Sequence, residues 1–482
     1  MVKHTVVLYP SPGIGHLISM VELGKLILKH HPSLSITILI TTPPYNTGST
    51  SPYINQISKT TPSLHFHHLP TLTLPSCNAP HHENLAFKFI ELNKPLVHQA
   101  LETIISQSST SIKALILDMF CSSAAEIGEQ LHLPTFHFYT SGISALAVYL
   151  HFPYLMESSI NFDDPKSLWH APGRVPIMVC DMPKDISDRG EAYQGFLHSS
   201  RTMVKSQGII VNSFESLEFE TLKVIREGMC VPDGPTPPIF CLGPLIADHH
   251  ESSSDGGNEC LSWLDSQPSR TVVFLCFGSM GLFSKAQLKE IAIGLEKSGQ
   301  RFLWVVRSPP PSEEEKSKSF LTPSEPDLEA LLPTGFLDRT KDRGLVVKSW
   351  APQVDVLSHE SIGGFVTHCG WNSVLEGVCA GVPMVAWPLY AEQKINRVFL
   401  VEESGIALPM MELKNGFVNA GEVEKRIREL MESDEGNVVR ERVKEMGEKA
   451  KVAMGDGGSS VRDLNEFVIE LYRLSDKDAN WA

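Results

Sequence analysis

The chain is short of positive charge. Its 41 lysines and arginines stand against 56 aspartates and glutamates, a formal net charge of −15 at pH 7. A protein that works by neutralising nucleic-acid phosphates or an anionic membrane needs the opposite balance, so neither is expected as a partner. One local pocket for a small anion remains compatible with that total. Long apolar runs are also missing. Nothing approaches the roughly 20 apolar residues of a membrane span, and MVKHTVVLYPSPGIGHL has no cationic region leading into one. A soluble, cytoplasmic monomer is expected. The nine cysteines are odd in number and none stand as C-x-x-C, which suits reduced structural thiols. There is no H-E-x-x-H. The one D-x-D, Asp476-Lys477-Asp478, falls in the carboxy-terminal tail, where a solvated charge cluster is the safer reading. No metal and no other cofactor is expected.

What is present is material for more than one core: 482 residues, 42% of them hydrophobic. Short apolar runs alternate with helix-length segments. Thr5–Tyr9, Ser35–Thr41, Ala114–Leu117 and Gly208–Val211 form a first series. After Pro232–Pro244 and the polar Asp248–Asn258, the pattern restarts with Thr271–Phe277, Phe302–Val306, Leu345–Lys348, Gly364–Thr367 and Met384–Trp387. Apolar strands separated by helices imply parallel sheets covered on both faces, the doubly wound α/β class. The expected organisation is a Rossmann-like domain over 1–245, a linker over 246–258 and a second such domain over 259–460. A carboxy-terminal helix and tail over 461–482 would pack back on the first domain, and a ligand cleft would lie between the two. Ser308–Asp327 reads as a surface insertion, either bordering that cleft or simply solvated.

The most informative segment is Trp350–Gln393, WAPQVDVLSHESIGGFVTHCGWNSVLEGVCAGVPMVAWPLYAEQ. Gly363–Thr367 reads as a buried strand that delivers His368 into a loop, where Gly370 lets the backbone approach a ligand. A helix should begin near Asn372 and stop near Gly381, with Pro383 just beyond. Its free N–H groups, flanked by His, Asn and Ser, make a site for phosphate. Asn372 and Glu376 share a face of that helix, so the carboxylate can accept hydrogen bonds from a sugar diol one turn away.

Over all 44 of its positions this segment resembles the nucleotide-sugar signature of plant family 1 UDP-dependent glycosyltransferases. LYPSPGIGHL, ELGKLIL and SLSITILI add a likeness to flavonoid and isoflavone O-glucosyltransferases. The resemblance implies the GT-B architecture, with the acceptor on the first domain and UDP-glucose, the co-substrate, on the second. It implies that Trp350 stacks on uracil, that Gln353 and Glu376 meet the ribose, and that Ala351 lies in the same nucleotide site. His368, Gly370, Asn372, Ser373 and Ser279 would hold the diphosphate. Trp371, Glu392 and Gln393, with Thr140 from the first domain, would contact the sugar. The Gln393 amide, with both a donor and an acceptor, would bridge adjacent hydroxyls, in the form associated with glucose.

A second constellation lies in the first half. His16 follows Thr5–Tyr9 in a glycine-flanked loop, and Asp118 ends the Ala114–Leu117 run. Both belong at the ligand edge of a doubly wound sheet. A histidine backed by a carboxylate can take a proton from a weakly acidic hydroxyl, and the resemblance makes these the catalytic base and its orienting acid. A helix cap before Cys121 is the lesser reading of Asp118 taken by itself. Phe87, Phe120, Phe138, Tyr149 and Phe196 are candidate acceptor walls or ordinary core. His65, His67 and His68 read as structural or acceptor-facing. A dinucleotide oxidoreductase is disfavoured because Ser19 stands where G-x-G-x-x-G needs its third glycine. A hydrolase lacks its G-x-S-x-G elbow. A silent nucleotide-sugar binder would not need both His16 and Asp118. Inverting transfer of glucose to a phenolic hydroxyl is the reading, with transfer to a ring carbon, or to another small plant metabolite, as the alternatives.

Overall fold

The computed structural model describes residues 3–44, 50–73, 82–107, 110–155, 160–183, 186, 190–247, 255–310, 325–413 and 416–479. The chain divides into two units. One comprises Met1–Ile246 with Val452–Ala482, the other Ala247–Lys451.

The first unit is built on strands β1 (Lys3–Tyr9), β2 (Leu34–Ile40), β3 (Leu64–His68), β4 (Thr110–Asp118) and β5 (Thr135–Tyr139). A small antiparallel pair, β6 (Leu168–Trp169) and β7 (Ile177–Met178), stands apart, and β8 (Ile209–Val211) and β9 (Ile239–Cys241) complete the main sheet. Its order is β3-β2-β1-β4-β5-β8-β9, parallel throughout. Alternate residues of β1 enter two different cores. Val6 and Leu8 pack with Ile36, Ile38 and Phe138, while Val7 and Tyr9 pack with Leu39, Leu115 and Leu117. That two-residue alternation is how one strand of apolar residues serves a sheet covered on both faces.

The second unit repeats the plan. Strands β10 (Val272–Cys276), β11 (Arg301–Val306), β12 (Gly344–Lys348), β13 (Ile362–Thr367), β14 (Met384–Ala386) and β15 (Ala407–Pro409) are ordered β12-β11-β10-β13-β14-β15. In each unit the order reverses beside the first strand, at β1/β4 and at β10/β13. Ligands of open α/β sheets bind at such a reversal, beyond the carboxyl ends of the strands.

The carboxy-terminal helix Ser459–Ala479 belongs to the first unit. Leu464, Phe467, Val468 and Leu471 are buried in the core around β1, and the Phe467 ring lies 5.1 Å from Phe136 and 5.5 Å from Phe240. Burying side chains of this kind stabilises by about 1.5–3 kcal/mol each. Asp463 fixes the register by accepting from the Cys241 N–H at 2.8 Å. The helix runs through Asp476–Asp478, which sequence placed in a tail.

Besides the two-residue β6 and β7, three strands of the main sheets escaped the sequence reading. β15 is only three residues long. β5 carries polar Thr135 and His137 inside its aromatic run, and β9 lies inside the proline-rich Pro232–Pro244 stretch. Of the expected linker, residues 248–254 lie outside the described residues, and 255–258 open the helix Asp255–Asp265. Most of the Ser308–Asp327 insertion, residues 311–324, also lies outside them.

Candidate active site

In the first unit, β1 ends at Tyr9 and the chain turns through Ser11–Gly13 into the helix Ile14–His30, which places His16 in its first turn. Neighbouring β4 ends on Asp118 itself. The two meet: His16 Nδ1 lies 2.8 Å from Asp118 Oδ2. A carboxylate cannot donate, so the Nδ1 proton belongs to the histidine and the basic lone pair is on Nε2. Asp118 is fully buried, and the Ser11 hydroxyl and the Phe120 N–H (3.2 Å) both donate to its Oδ1. The cap reading and the partner reading of Asp118 therefore both hold, one oxygen for each role. Thr140 Oγ1 comes within 3.3 Å of His16 Nδ1 from the loop after β5.

Two nearby groups are excluded as the base or nucleophile. His137 on β5 is buried, and desolvation lowers its pKa to about 4, so it is neutral at physiological pH. The Cys121 thiol is pushed well up by burial and then by the charge of Asp118. His16, whose side chain keeps 29% of its exposure, is the ring a solute can reach.

An aromatic wall adjoins it. Phe120 meets the His16 ring edge-on at 5.8 Å, and Phe87, Phe120 and Phe196 lie 5.0–5.7 Å from one another. Tyr149 joins at 6.2 Å from Phe196. Phe138 does not: it is fully buried in the core around β1, on the other face.

In the second unit the corresponding reversal gathers the signature residues. β13 ends at Thr367, and His368 follows directly. The helix Trp371–Ala380 begins one residue before the expected Asn372, and Gly381, at φ 66°, closes it. The N–H groups of Trp371, Asn372 and Ser373 precede the first helical bond, Val374 N–H to Gly370 C=O at 3.0 Å. His368 is wedged between two glycines. A Cβ on Gly278 would lie 2.6 Å from His368 Nε2, and one on Gly370 would sit closer still. Burial lowers the His368 pKa to about 4, so its ring acts as a neutral hydrogen-bonding group.

Gln353, opening the helix Gln353–Ser358, donates from Nε2 to Ser373 Oγ (2.8 Å) and Glu376 Oε2 (2.5 Å). Burial raises Glu376 to about 7, with Gln353 pulling the other way. Hydroxyls donating to it would favour the ionised carboxylate over the acid. Trp350, just beyond β12, leaves 49% of its surface exposed, as a platform for a flat ring requires, while Ala351 behind it is buried. Ser279 is exposed in the turn after β10.

Two signature residues are placed differently from expectation. Trp371, expected as a sugar contact, is buried with its ring 6.0 Å from Phe399. Gln393 Oε1 accepts from the Leu389 N–H (2.9 Å) and the Tyr390 N–H (3.0 Å). Its amide then presents the –NH2 alone and cannot bridge two hydroxyls as donor and acceptor together. Tyr390, its hydroxyl pushed up to about 12 by burial, stands beside that amide. Glu392 stands at the N-cap position of the short helix Gln393–Val398 without a side-chain capping bond.

Sequence reasoning missed the residues that hold this backbone. Ser349, Cys369 and Ala391 are non-glycine residues at φ 64°, 64° and 51°, each next to a signature side chain. Such conformations cost about 1–3 kcal/mol and persist where surroundings over-determine them. At Cys369 the surroundings are Asn396 Nδ2, donating to its carbonyl at 3.0 Å, and Thr367 Oγ1, accepting from its N–H at 3.3 Å. Ser11 was likewise missed, although a hydroxyl in a Pro-Ser-Pro-Gly turn before a candidate base was the available signal. Ser11→Ala removes a hydrogen bond to a charged group, so kcat should fall about tenfold with the KM for donor unchanged. Ser11→Thr should recover most of it. Steady-state kinetics of the two variants check this, and a fall in donor affinity instead would make Ser11 merely structural.

Two Rossmann-like units of this kind, matched over 97% of the chain by solved glycosyltransferases, are the GT-B architecture. Comparison with known proteins then places the chain within it. The family described as UDP-glucoronosyl and UDP-glucosyl transferase matches residues 230–438. UDP-glycosyltransferase 88B1 of Stevia rebaudiana is 53% identical over 471 residues, covering 96% of this chain and 98% of that protein. The anthocyanidin 5,3-O-glucosyltransferase of a Rosa hybrid cultivar is 52% identical, covering 95% and 97%. The solved structure of Phytolacca americana UGT2 complexed with UDP-2fluoro-glucose and pterostilbene superposes with a TM-score of 0.85 at 36% identity, covering 97% and 99%. The chain belongs to the plant family 1 UDP-glycosyltransferases and is a glycosyltransferase. Among the described residues, no helix is long and apolar enough to cross a membrane, and no group of three or more His, Cys, Asp or Glu is placed to hold a metal ion.

Proposed function

We propose that the chain transfers glucose from UDP-glucose to a hydroxyl of a small phenolic acceptor, with inversion at the anomeric carbon. The observation that carries this is the His16 Nδ1–Asp118 Oδ2 contact of 2.8 Å, with Phe120 edge-on to the same ring. His16 Nε2 takes the acceptor proton as the oxygen bonds to the anomeric carbon. The bond from that carbon to the phosphate oxygen breaks, and UDP leaves with its electron pair. Asp118 stabilises the imidazolium that forms. A phenol of pKa about 10 is within reach of such a base. The wall of Phe87, Phe120, Tyr149 and Phe196 suits a flat ring, and the anthocyanidin and pterostilbene named for two relatives support that class.

The donor binds on the second unit in this reading. Uracil stacks on Trp350, the ribose diol donates to Glu376, and the diphosphate accepts from the N–H groups of Trp371, Asn372 and Ser373. The Gln393 –NH2, Glu392 and Thr140 meet the glucose hydroxyls. Competition between UDP-glucose and UDP-galactose, run with EDTA over a panel of flavonoids, chalcones and simple phenols, tests it. Glucose transfer should persist in EDTA and be preferred about tenfold, the worth of one unpaired buried donor. Gln393→His should shrink that ratio. Preference for galactose, or a ratio the substitution leaves unmoved, removes Gln393 as the selector. Failure of every phenol as an acceptor overturns the acceptor class.

A further inference from the structure

We infer that Arg307, outside the signature segment, binds the diphosphate of the donor and supplies the positive charge that the segment lacks. This rests on the donor reading above. Trp350–Gln393 contains no lysine and no arginine. Its buried histidine, His368, is neutral at physiological pH. A helix N-terminus offers about half an elementary charge. Each phosphate of the sugar-linked diphosphate carries about one negative charge, about −2 in all, so the helix alone leaves most of it uncompensated.

Arg307 is placed to make up the difference. It directly follows β11, the neighbour of β10, at the same carboxyl edge of the sheet. It lines one hollow with Gly278 and Gly281 of the turn after β10. Gly278 is the residue whose Cβ would lie 2.6 Å from His368 Nε2, and Tyr390 is 6.1 Å, ring to ring, from the same histidine. The Arg307 charge is felt on both sides of this crevice, at Cys276 and at Tyr390.

The guanidinium is also uncommitted among the described residues. No carboxylate there pairs with it, and its buried Nε has no hydrogen-bond partner. Lys348, at the end of β12, differs in being paired with Glu325 at 3.4 Å. A partly buried cation with an unmet donor is costly unless an anion arrives, and a guanidinium fork fits phosphate oxygens two at a time.

The test is calorimetric titration of UDP and of uridine into the wild type, Arg307→Gln and Arg307→Lys. Wild type should bind UDP far more tightly than uridine. Arg307→Gln should weaken UDP about 10- to 100-fold, the worth of a hydrogen bond to a charged group, and leave uridine within about twofold. Arg307→Lys, which keeps the charge and loses the fork, should fall between. It serves as the deciding variant if the glutamine protein does not fold. UDP affinity unmoved in both variants overturns the proposal. So does a parallel loss of UDP and uridine, which would make Arg307 a nucleoside contact or a packing residue. A wild type that binds neither ligand overturns the donor reading itself.

Discussion

His16→Ala is expected to lower kcat for a phenolic acceptor by about 10³–10⁴-fold, the upper range for loss of a general base. UDP affinity should stay within about twofold, since His16 belongs to the first unit and the proposed nucleotide site to the second. The reason lies in the division of chemistry. The imidazole orders its proton on Nδ1 through Asp118, and no other group near by can replace it. His137 is neutral and sealed in β5, and the Cys121 thiol is held protonated. Folding should be little affected, because the ring is part-exposed, at the edge of the aromatic wall. Rapid-quench kinetics beside UDP calorimetry read the two effects separately. Transfer near the wild-type rate would remove His16 from the mechanism, and a matching loss of UDP affinity would make its role structural.

Gly370→Ala should abolish tight donor binding, raising the Kd for UDP by about 100-fold while the protein stays folded. Gly370 sits at φ −61° and ψ 134°, a conformation alanine adopts without strain. What alanine cannot do is share space with His368, whose Nε2 occupies the place its Cβ would take. Gly278 approaches the same ring, with an added Cβ there lying 2.6 Å from Nε2, so the histidine is already tightly packed. Relief must come from moving His368 or the first turn of the helix, and either misaligns the N–H groups at Trp371–Ser373. Overpacking of this kind costs about 1–3 kcal/mol, so thermal unfolding should shift by only a few degrees. Calorimetry and a melting curve on one preparation decide it. Unchanged UDP affinity would mean that His368 does not stand at the phosphate site.

The sequence carried the fold through its repetition. Apolar runs of four to seven residues, spaced by helices and interrupted once by a polar stretch, match both sheets because a parallel strand is buried on both faces and reads as one apolar run. What it could not carry were contacts between residues far apart in the chain. Ser11 and Asp118 are separated by 107 positions, and nothing local in either marks the other. The signature residues were legible as a set, but their orientation was not. Trp371 turns inward to Phe399, and the Gln393 carbonyl turns back to its own loop. Asn396, three positions beyond the signature, donates to the carbonyl of positive-φ Cys369, and nothing local in the signature marks it.

The return of the last helix to the first unit bears on how the protein is made. A ribosome releases β1 to β9 early, yet Phe467 and its neighbours, which pack against Phe136 and Phe240, emerge after the second unit. Residues 247–451 emerge in between and are contiguous, so that unit can close while still tethered. The first-made half is therefore the last to be finished. Until then its uncovered aromatic face is what a chaperone would hold.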